Sequence, residues 1–103
     1  MIRGTTPTLT FKINTDLDFS EIETAEITFK SVSGMKEKTW NQELFTIDPQ
    51  EKTIVLTLTQ DDTLYFYEGE IQVQLRIKMQ DDKVYASNIV TSTLSKILKE
   101  GVI

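Results

Sequence analysis

Residues 70–87, EIQVQLRIKMQDDKVYAS, alternate apolar and polar side chains with a period of two, the pattern of a half-buried β-strand. Ile71, Val73, Leu75, Ile77 and Met79 form one set and require a dry neighbour. Gln72, Gln74, Arg76, Lys78 and Gln80 form the other set and face water or another protein. A helix would scatter both sets around its axis, so this stretch commits the chain to a sheet with one covered face. Asp81-Asp82 reads as a tight hairpin turn leading back through residues 83–87. With Gln80 facing Lys83, Met79 pairs with Val84 and Ile77 with Ala86 on the dry side, while Lys78 faces Tyr85 on the wet side.

The same period recurs along the chain. Residues 8–13 (TLTFKI) place Leu9, Phe11 and Ile13 on one face; residues 25–30 (AEITFK) place Ala25, Ile27 and Phe29 inward. Between them, the acidic stretch 16–23 reads as a loop whose Leu17, Phe19 and Ile22 cover one end of the core. Ser33-Gly34 marks a turn. The following MKEKTWNQ is a strand whose Lys36 and Lys38 suit an exposed edge, where charge discourages pairing with another sheet. Residues 44–47 and 53–58 flank Asp48-Pro49-Gln50-Glu51-Lys52, a hairpin connection, with Ile54, Leu56 and Leu58 inward. Thr59 followed three residues later by Asp62 has the spacing of a capping box, which predicts one short helical turn. After the long hairpin, Val84, Ala86, Val90 and Leu94 continue an inward face that Asn88 and Ser92 interrupt. A kink is therefore expected near Asn88. Leu94, Ile97 and Leu98 have a brief helical spacing, and KEGVI carries no clear structural pattern.

About seven strands joined by short turns, with one corner helix, predict an all-β fold: a two-sheet β-sandwich, immunoglobulin-like in architecture. A chain of 103 residues without linker or repeat predicts a single domain over 1–103, with 95–103 as a loose C-terminal tail. Trp40 stands where an immunoglobulin-like sandwich carries its central tryptophan. Ile27 or Phe29 and Val73 stand where a disulfide would link the sheets, and Ile71 where a corner tyrosine is usual. The interior is then held by burial alone.

Composition narrows the chemistry. The chain has no cysteine and no histidine, which removes thiolate nucleophiles, cysteine-built metal sites and the commonest general base. A net charge of −5 opposes binding to nucleic acid and to anionic membranes. No apolar run is long enough to span a bilayer, and MIRGTTPT lacks the pattern of a secretory signal, so synthesis and folding in the cytoplasm are expected. The acids Asp61-Asp62, Asp81-Asp82, Glu68, Glu70 and the 16–26 cluster sit on turns or outward strand positions, where carboxylates are simply solvated. No D-x-D-x-D-G loop accompanies them, no G-x-S-x-G surrounds a serine, and Gly4, Gly34, Gly69 and Gly101 are too dispersed to cradle phosphate. The reading is a non-enzymatic protein without cofactor or metal.

Two surfaces compete for a role. The outward row Gln72, Gln74, Arg76 and Lys78 beside Tyr85 suits a protein interface, because these groups hydrogen-bond without the desolvation cost of clustered acids; a plain solvated sheet face has the same pattern. Trp40, Tyr65 and Tyr67 make the alternative, a carbohydrate- or surface-binding module, against the simpler reading that Leu64 and Phe66 are core and the tyrosines cap the sheet end. Val102 and Ile103 offer a further docking element, although a frayed tail is expected in isolation.

The opening MIRGTTPTLTF, the corner LTLTQDDTLYF, the strand GEIQVQLRIKMQDDKVYAS and the closing SNIVTSTLSKIL together resemble small structural proteins of phages and prophages of Gram-positive bacteria. They are also similar to the immunoglobulin-like N-terminal domain of phage baseplate upper proteins. The likeness runs in order along nearly the whole chain, and RGTTPT is its most specific motif. It implies a virion or tail-assembly component, made in the host cytoplasm and incorporated in the particle. Its partners would be other phage structural proteins or further copies of itself. It supplies no catalytic residues. Unlike the baseplate protein, the sequence read as a single sandwich over 1–103 is expected to lack a long coiled or receptor-binding extension.

Overall fold

The computed structural model describes residues 1–32 and 36–103. In chain order the strands are β1 (Thr8–Lys12), β2 (Ile22–Ser31), β3 (Glu37–Asn41), β4 (Thr46–Asp48), β5 (Thr53–Thr57), β6 (Gly69–Met79), β7 (Val84–Ala86) and β8 (Val90–Leu94). Among the described residues a single α-helix, α1 (Gln60–Tyr65), turns the corner before β6, and 3₁₀ turns occupy Phe19–Glu21 and Gln42–Leu44. One antiparallel sheet has the order β1-β5-β4; the other has β3-β2-β6, with β7 and β8 succeeding each other along the far side of β6. This is an all-β, two-sheet sandwich.

The alternating side chains explain the layering. Ala25, Ile27 and Phe29 of β2, all five inward residues of β6, and Ile54, Leu56 and Leu58 from the β5 segment are buried together between the sheets. Phe19, Trp40, Phe45, Phe66 and Leu94 close the interior, with Leu9, Phe11, Ile13, Leu17, Ile22 and Ile47 packed partly buried against it. Trp40 meets Phe29 edge-on, with ring centroids 4.8 Å apart. At about 1.5–3 kcal/mol per fully buried aliphatic or aromatic side chain, burial holds the layers without a crosslink.

Two expectations about pairing are corrected. Ile27 or Phe29 and Val73 do not face each other across the interior. β2 and β6 lie side by side in one sheet, with Phe29 opposite Val73 and Ile27 opposite Leu75. The hairpin after β6 is shifted by one residue: Lys78 pairs with Val84, Ile77 with Tyr85 and Arg76 with Ala86. The turn is responsible. The Asp82 N–H donates to the Met79 carbonyl (3.0 Å) and the Met79 N–H to the Lys83 carbonyl (2.8 Å). Asp82 adopts φ 68°. The loop is thus three residues long, a type I turn closed by a left-handed residue, and its odd length moves the returning strand to the opposite phase. Val84 and Ala86 consequently face outward, and Tyr85 lies on the Ile77 face.

The inward phase is recovered by the kink expected near Asn88. Ser87 still pairs with Leu75 by its N–H (2.8 Å), whereas Val73 already faces Val90. Asn88 and Ile89 therefore oppose Gln74 alone, a bulge that returns Val90, Ser92 and Leu94 to the inner side. The Ser87 hydroxyl accepts the Leu75 N–H (3.0 Å) and the Gln74 amide donates to the Ser87 carbonyl (2.9 Å), which fixes the distortion.

The corner helix begins as its sequence predicts. The Thr59 hydroxyl accepts the Asp62 N–H (3.1 Å) and the Asp62 carboxylate accepts the Thr59 N–H (2.8 Å). Asp62 departs from the expectation of a solvated acid: it is buried and also accepts from Lys38 Nζ at 2.6 Å. Lys38 sits opposite Phe29, on the core side of edge strand β3, so its charge points inward along the edge. The expected turn at Ser33-Gly34 lies outside the described residues.

RGTTPT proves to be a lock on this corner. Arg3 Nε donates to the Phe66 carbonyl (2.8 Å), Nη2 to the Leu64 carbonyl (3.0 Å), and Nη1 pairs with Glu100. The Thr63 hydroxyl reaches the Thr5 carbonyl (2.8 Å), and the Leu58 N–H the Pro7 carbonyl (2.9 Å). Ile2 bridges Ser95 in parallel. The tail lacks regular structure, yet the Gln60 side chain holds the Ile103 backbone by both its amide and its carbonyl. Leu98, Val102 and Ile103 are exposed.

Candidate interaction surface

The outer face of the larger sheet is built by the outward residues of three adjacent strands in register. Gln72, Gln74, Arg76 and Lys78 of β6 stand opposite Lys30, Thr28, Glu26 and Thr24 of β2. Glu37, Thr39 and Asn41 of β3 extend the same rows. Val84 and Ala86 continue them beyond β6. β6 has eleven residues, and a strand of that length spans roughly 35 Å. β3, β2 and β7 have 5, 10 and 3 residues, so at about 4.8 Å spacing the face covers roughly 450 Å², about half the ~800 Å² per partner of an ordinary protein interface.

This face is neutral in pattern and internally paired. Arg76 Nη2 contacts Glu26 at 2.6 Å, and Lys78 Nζ lies 3.7 Å from Glu23 and 3.5 Å from Asp82. The Thr28 and Thr39 hydroxyls share a hydrogen bond of 2.9 Å. Exposed pairs of this kind contribute only about 0–1 kcal/mol each to stability, so their effect is to pre-position side chains. Gln72 and Gln74 are half-buried, and a small depression beside them is walled by Thr28, Lys30 and the exposed Ile89. A second depression, about 300 Å³, is lined by Thr24, Glu26, Arg76, Lys78 and Val84. The face therefore combines a polar centre with two apolar contacts, Ile89 and Val84, that residue alternation alone did not place there.

Four of the five residues expected at the interface share this face. Tyr85 does not. Opposite Ile77, it turns to the inner side of the sheet and borders a cleft with Leu17, Phe19 and Leu75. The signal that would have placed it is the loop length, set by the left-handed Asp82.

The aromatic set is divided as well. Trp40 is 4% exposed and belongs to the core, as does Phe66. Tyr65 and Tyr67 are exposed, with Lys36 Nζ 4.6 Å and 4.9 Å from their ring centroids. Lys38 Nζ lies 5.5 Å from the Trp40 ring, and the Tyr65 hydroxyl reaches the Glu37 carbonyl (3.3 Å). The lysines occupy ring positions that a sugar would stack on.

Two carboxyls have perturbed titration. Burial pushes Asp62 up, but hydrogen bonds from Lys38 and from the Thr59 backbone and hydroxyl, with the Lys38 charge, outweigh it and hold the group below its ordinary 3.8. The Ser20 hydroxyl and N–H hold the exposed Asp18 below its ordinary value. The Asp18 shift arises from its N-cap, and that of Asp62 from the Lys38 contact first and the cap at Thr59 second. Among the described residues, no group of three or more acids is arranged to hold a metal ion, and no helix is long and apolar enough to cross a membrane. No family model matches the chain, and neither curated proteins nor solved structures yielded a match.

Proposed function

We propose that the chain is a non-enzymatic structural or assembly module of a phage or prophage virion, placed in a tail or baseplate-like assembly and working by protein–protein docking. The observation that carries this reading is the outer face around Gln72, Gln74, Arg76 and Lys78. It is an open sheet face, pre-ordered by its own ion pairs and flanked by exposed Ile89 and Val84. The resemblance of RGTTPT and the closing segments to phage structural proteins names the class of partner. In this reading the protein is made in the host cytoplasm and enters the particle. Its partners are other tail proteins or further copies, with neither nucleic acid nor membrane among them.

Size-exclusion chromatography with light scattering, on the protein alone and mixed with tail proteins of the same particle, tests the reading. A stable complex is expected, weakened at least tenfold by Gln74→Glu with Arg76→Glu. A strictly monomeric protein that ignores every tail protein would sink it. The alternative, a carbohydrate-binding module, draws less support: Trp40 is buried, and Lys36 lies over both exposed tyrosines.

A further inference from the structure

The two sheets differ in width. Three strands, β1-β5-β4, face a sheet four strands wide, and β1 and β7 border the uncovered side. Between them lies an open cleft of about 430 Å³, within the ~300–1,000 Å³ of ligand-binding clefts. Its floor is apolar: Leu75, Ile77 and Phe19 are core residues, and Ile13 and Leu17 are half-buried beside them. Tyr85, an inward-facing residue, remains 38% exposed at its wall.

The opposite wall is Lys12, Ile13, Asn14 and Thr15, and the free edge of β1 leads into it from Thr8 and Thr10. The Ile13 N–H bonds to the Lys52 carbonyl (3.0 Å) and the Leu58 N–H to the Pro7 carbonyl. By the alternation of an antiparallel ladder, odd-numbered residues of β1 face β5, and Thr8, Thr10 and Lys12 aim their backbone groups away from it. Among the described residues no strand pairs with that side. Where the cleft runs out past Tyr85 and Leu17, Asp18, Glu21 and Asp81 line a contiguous depression.

We propose that this cleft accepts an extended strand from a different protein, added to the free edge of β1, with apolar side chains at alternate positions and a Lys or Arg at the end nearest Asp18, Glu21 and Asp81. An added strand pairs with the backbone groups of Thr8, Thr10 and Lys12, which a small apolar ligand would not engage, while its alternate side chains cover Leu75 and Ile77. The acidic end selects a basic terminus by charge complementarity. A second copy is the poorer occupant, since each carries −5 and its alternating segments are already paired in its own sheets.

Selection of a random nonapeptide display library on the full-length protein, followed by titration of the enriched peptides into ¹⁵N-labelled protein, decides the matter. Enriched sequences should alternate apolar residues and carry Lys or Arg at one end. They should shift the amides of Thr8, Thr10, Lys12, Leu75 and Tyr85. Thr10→Pro, which removes an outward N–H, should weaken binding at least tenfold; Tyr85→Glu, at an exposed side chain, should do the same and guards against a folding failure of the proline variant. Glu21→Gln with Asp81→Asn should erase the preference for a basic end. Gln74→Glu with Arg76→Glu, on the outer face, should leave peptide binding unchanged, so this test stands apart from that of the docking face. No enrichment, enrichment without alternation, or shifts confined to β3 or the outer face would overturn the proposal. So would shifts of the cleft amides that grow with protein concentration alone, which would give the cleft to a second copy.

Discussion

Arg3 ties the N-terminal segment to two other parts of the chain: the end of α1, through two carbonyls, and the tail, through the Glu100 carboxylate. Its three interactions are unequal. The carbonyls of Leu64 and Phe66 are reached by a mostly buried guanidinium, and hydrogen bonds to a charged group contribute about 1.5–3 kcal/mol. Glu100 is exposed, and such a pair contributes about 0–1 kcal/mol. Arg3→Ala is therefore expected to lower stability by about 1.5–3 kcal/mol, against less than about 1 kcal/mol for Glu100→Gln, both read from urea midpoints. Gly4 beside it sits at φ 77°, and an added Cβ would meet Ile97 Cδ1 at 2.9 Å; Gly4→Ala is expected to cost about 1–2 kcal/mol. Asp62 makes stability depend on pH. Its carboxyl titrates near 3.8 when unfolded and lower when folded, so its contribution is complete above the unfolded value and vanishes as pH falls through the folded one. The stability difference between wild type and Asp62→Asn should thus be constant from pH 7 to about pH 5 and shrink below about pH 4. A difference unchanged down to pH 3 would contradict a titrating Lys38–Asp62 pair.

At the scale of the element, what was legible was what is local. Period-two alternation marks β1, β2, β5 and β6 and their buried faces, and Thr59-x-x-Asp62 marks the start of α1 through two reciprocal hydrogen bonds. Thr59→Ala should cost about 1 kcal/mol, the usual value of an N-cap. The 3₁₀ turn at Gln42–Leu44 takes the end of one expected strand, at Gln42, and the start of the next, at Leu44, because its support is remote: the Gln42 amide binds the Glu23 carbonyl (2.8 Å) across the sheet. The hairpin after β6 shows how little decides a register. A left-handed Asp82 adds one residue to the loop, and with it Val84, Tyr85 and Ala86 exchange faces. Asp82→Gly removes a Cβ from that conformation and should raise stability by about 0.5–1 kcal/mol, with the Ile77–Tyr85 pairing intact in amide hydrogen exchange.

For the whole molecule, the two docking surfaces should respond differently to salt. The outer face alternates Glu26, Arg76, Glu23 and Lys78, and its charges answer one another within the protein. The end of the cleft holds Asp18, Glu21 and Asp81 together. Raising ionic strength shortens the screening length from about 10 Å at 0.1 M to about 3 Å at 1 M. Complexes on the outer face should then change little in affinity, and basic-ended strands in the cleft should lose several-fold. Light scattering for the first and peptide titration for the second measure the contrast.

By itself the sequence determined that β1, β2, β5 and β6 are strands, which side of each of these is dry, where the helix starts, and that the chain lacks thiol and imidazole chemistry. Each of these is a property of neighbouring residues: alternation, a cap spacing, a residue type. Only the tertiary structure decided that β2 lies beside β6, that Tyr85 turns away from Lys78, that Lys38 meets Asp62, and that one flank of the sandwich stands open. The reason is that burial is indifferent to partner. The same apolar side chains become dry in several strand orders, and the choice among them falls to loop lengths, one left-handed residue and contacts between positions far apart in the chain.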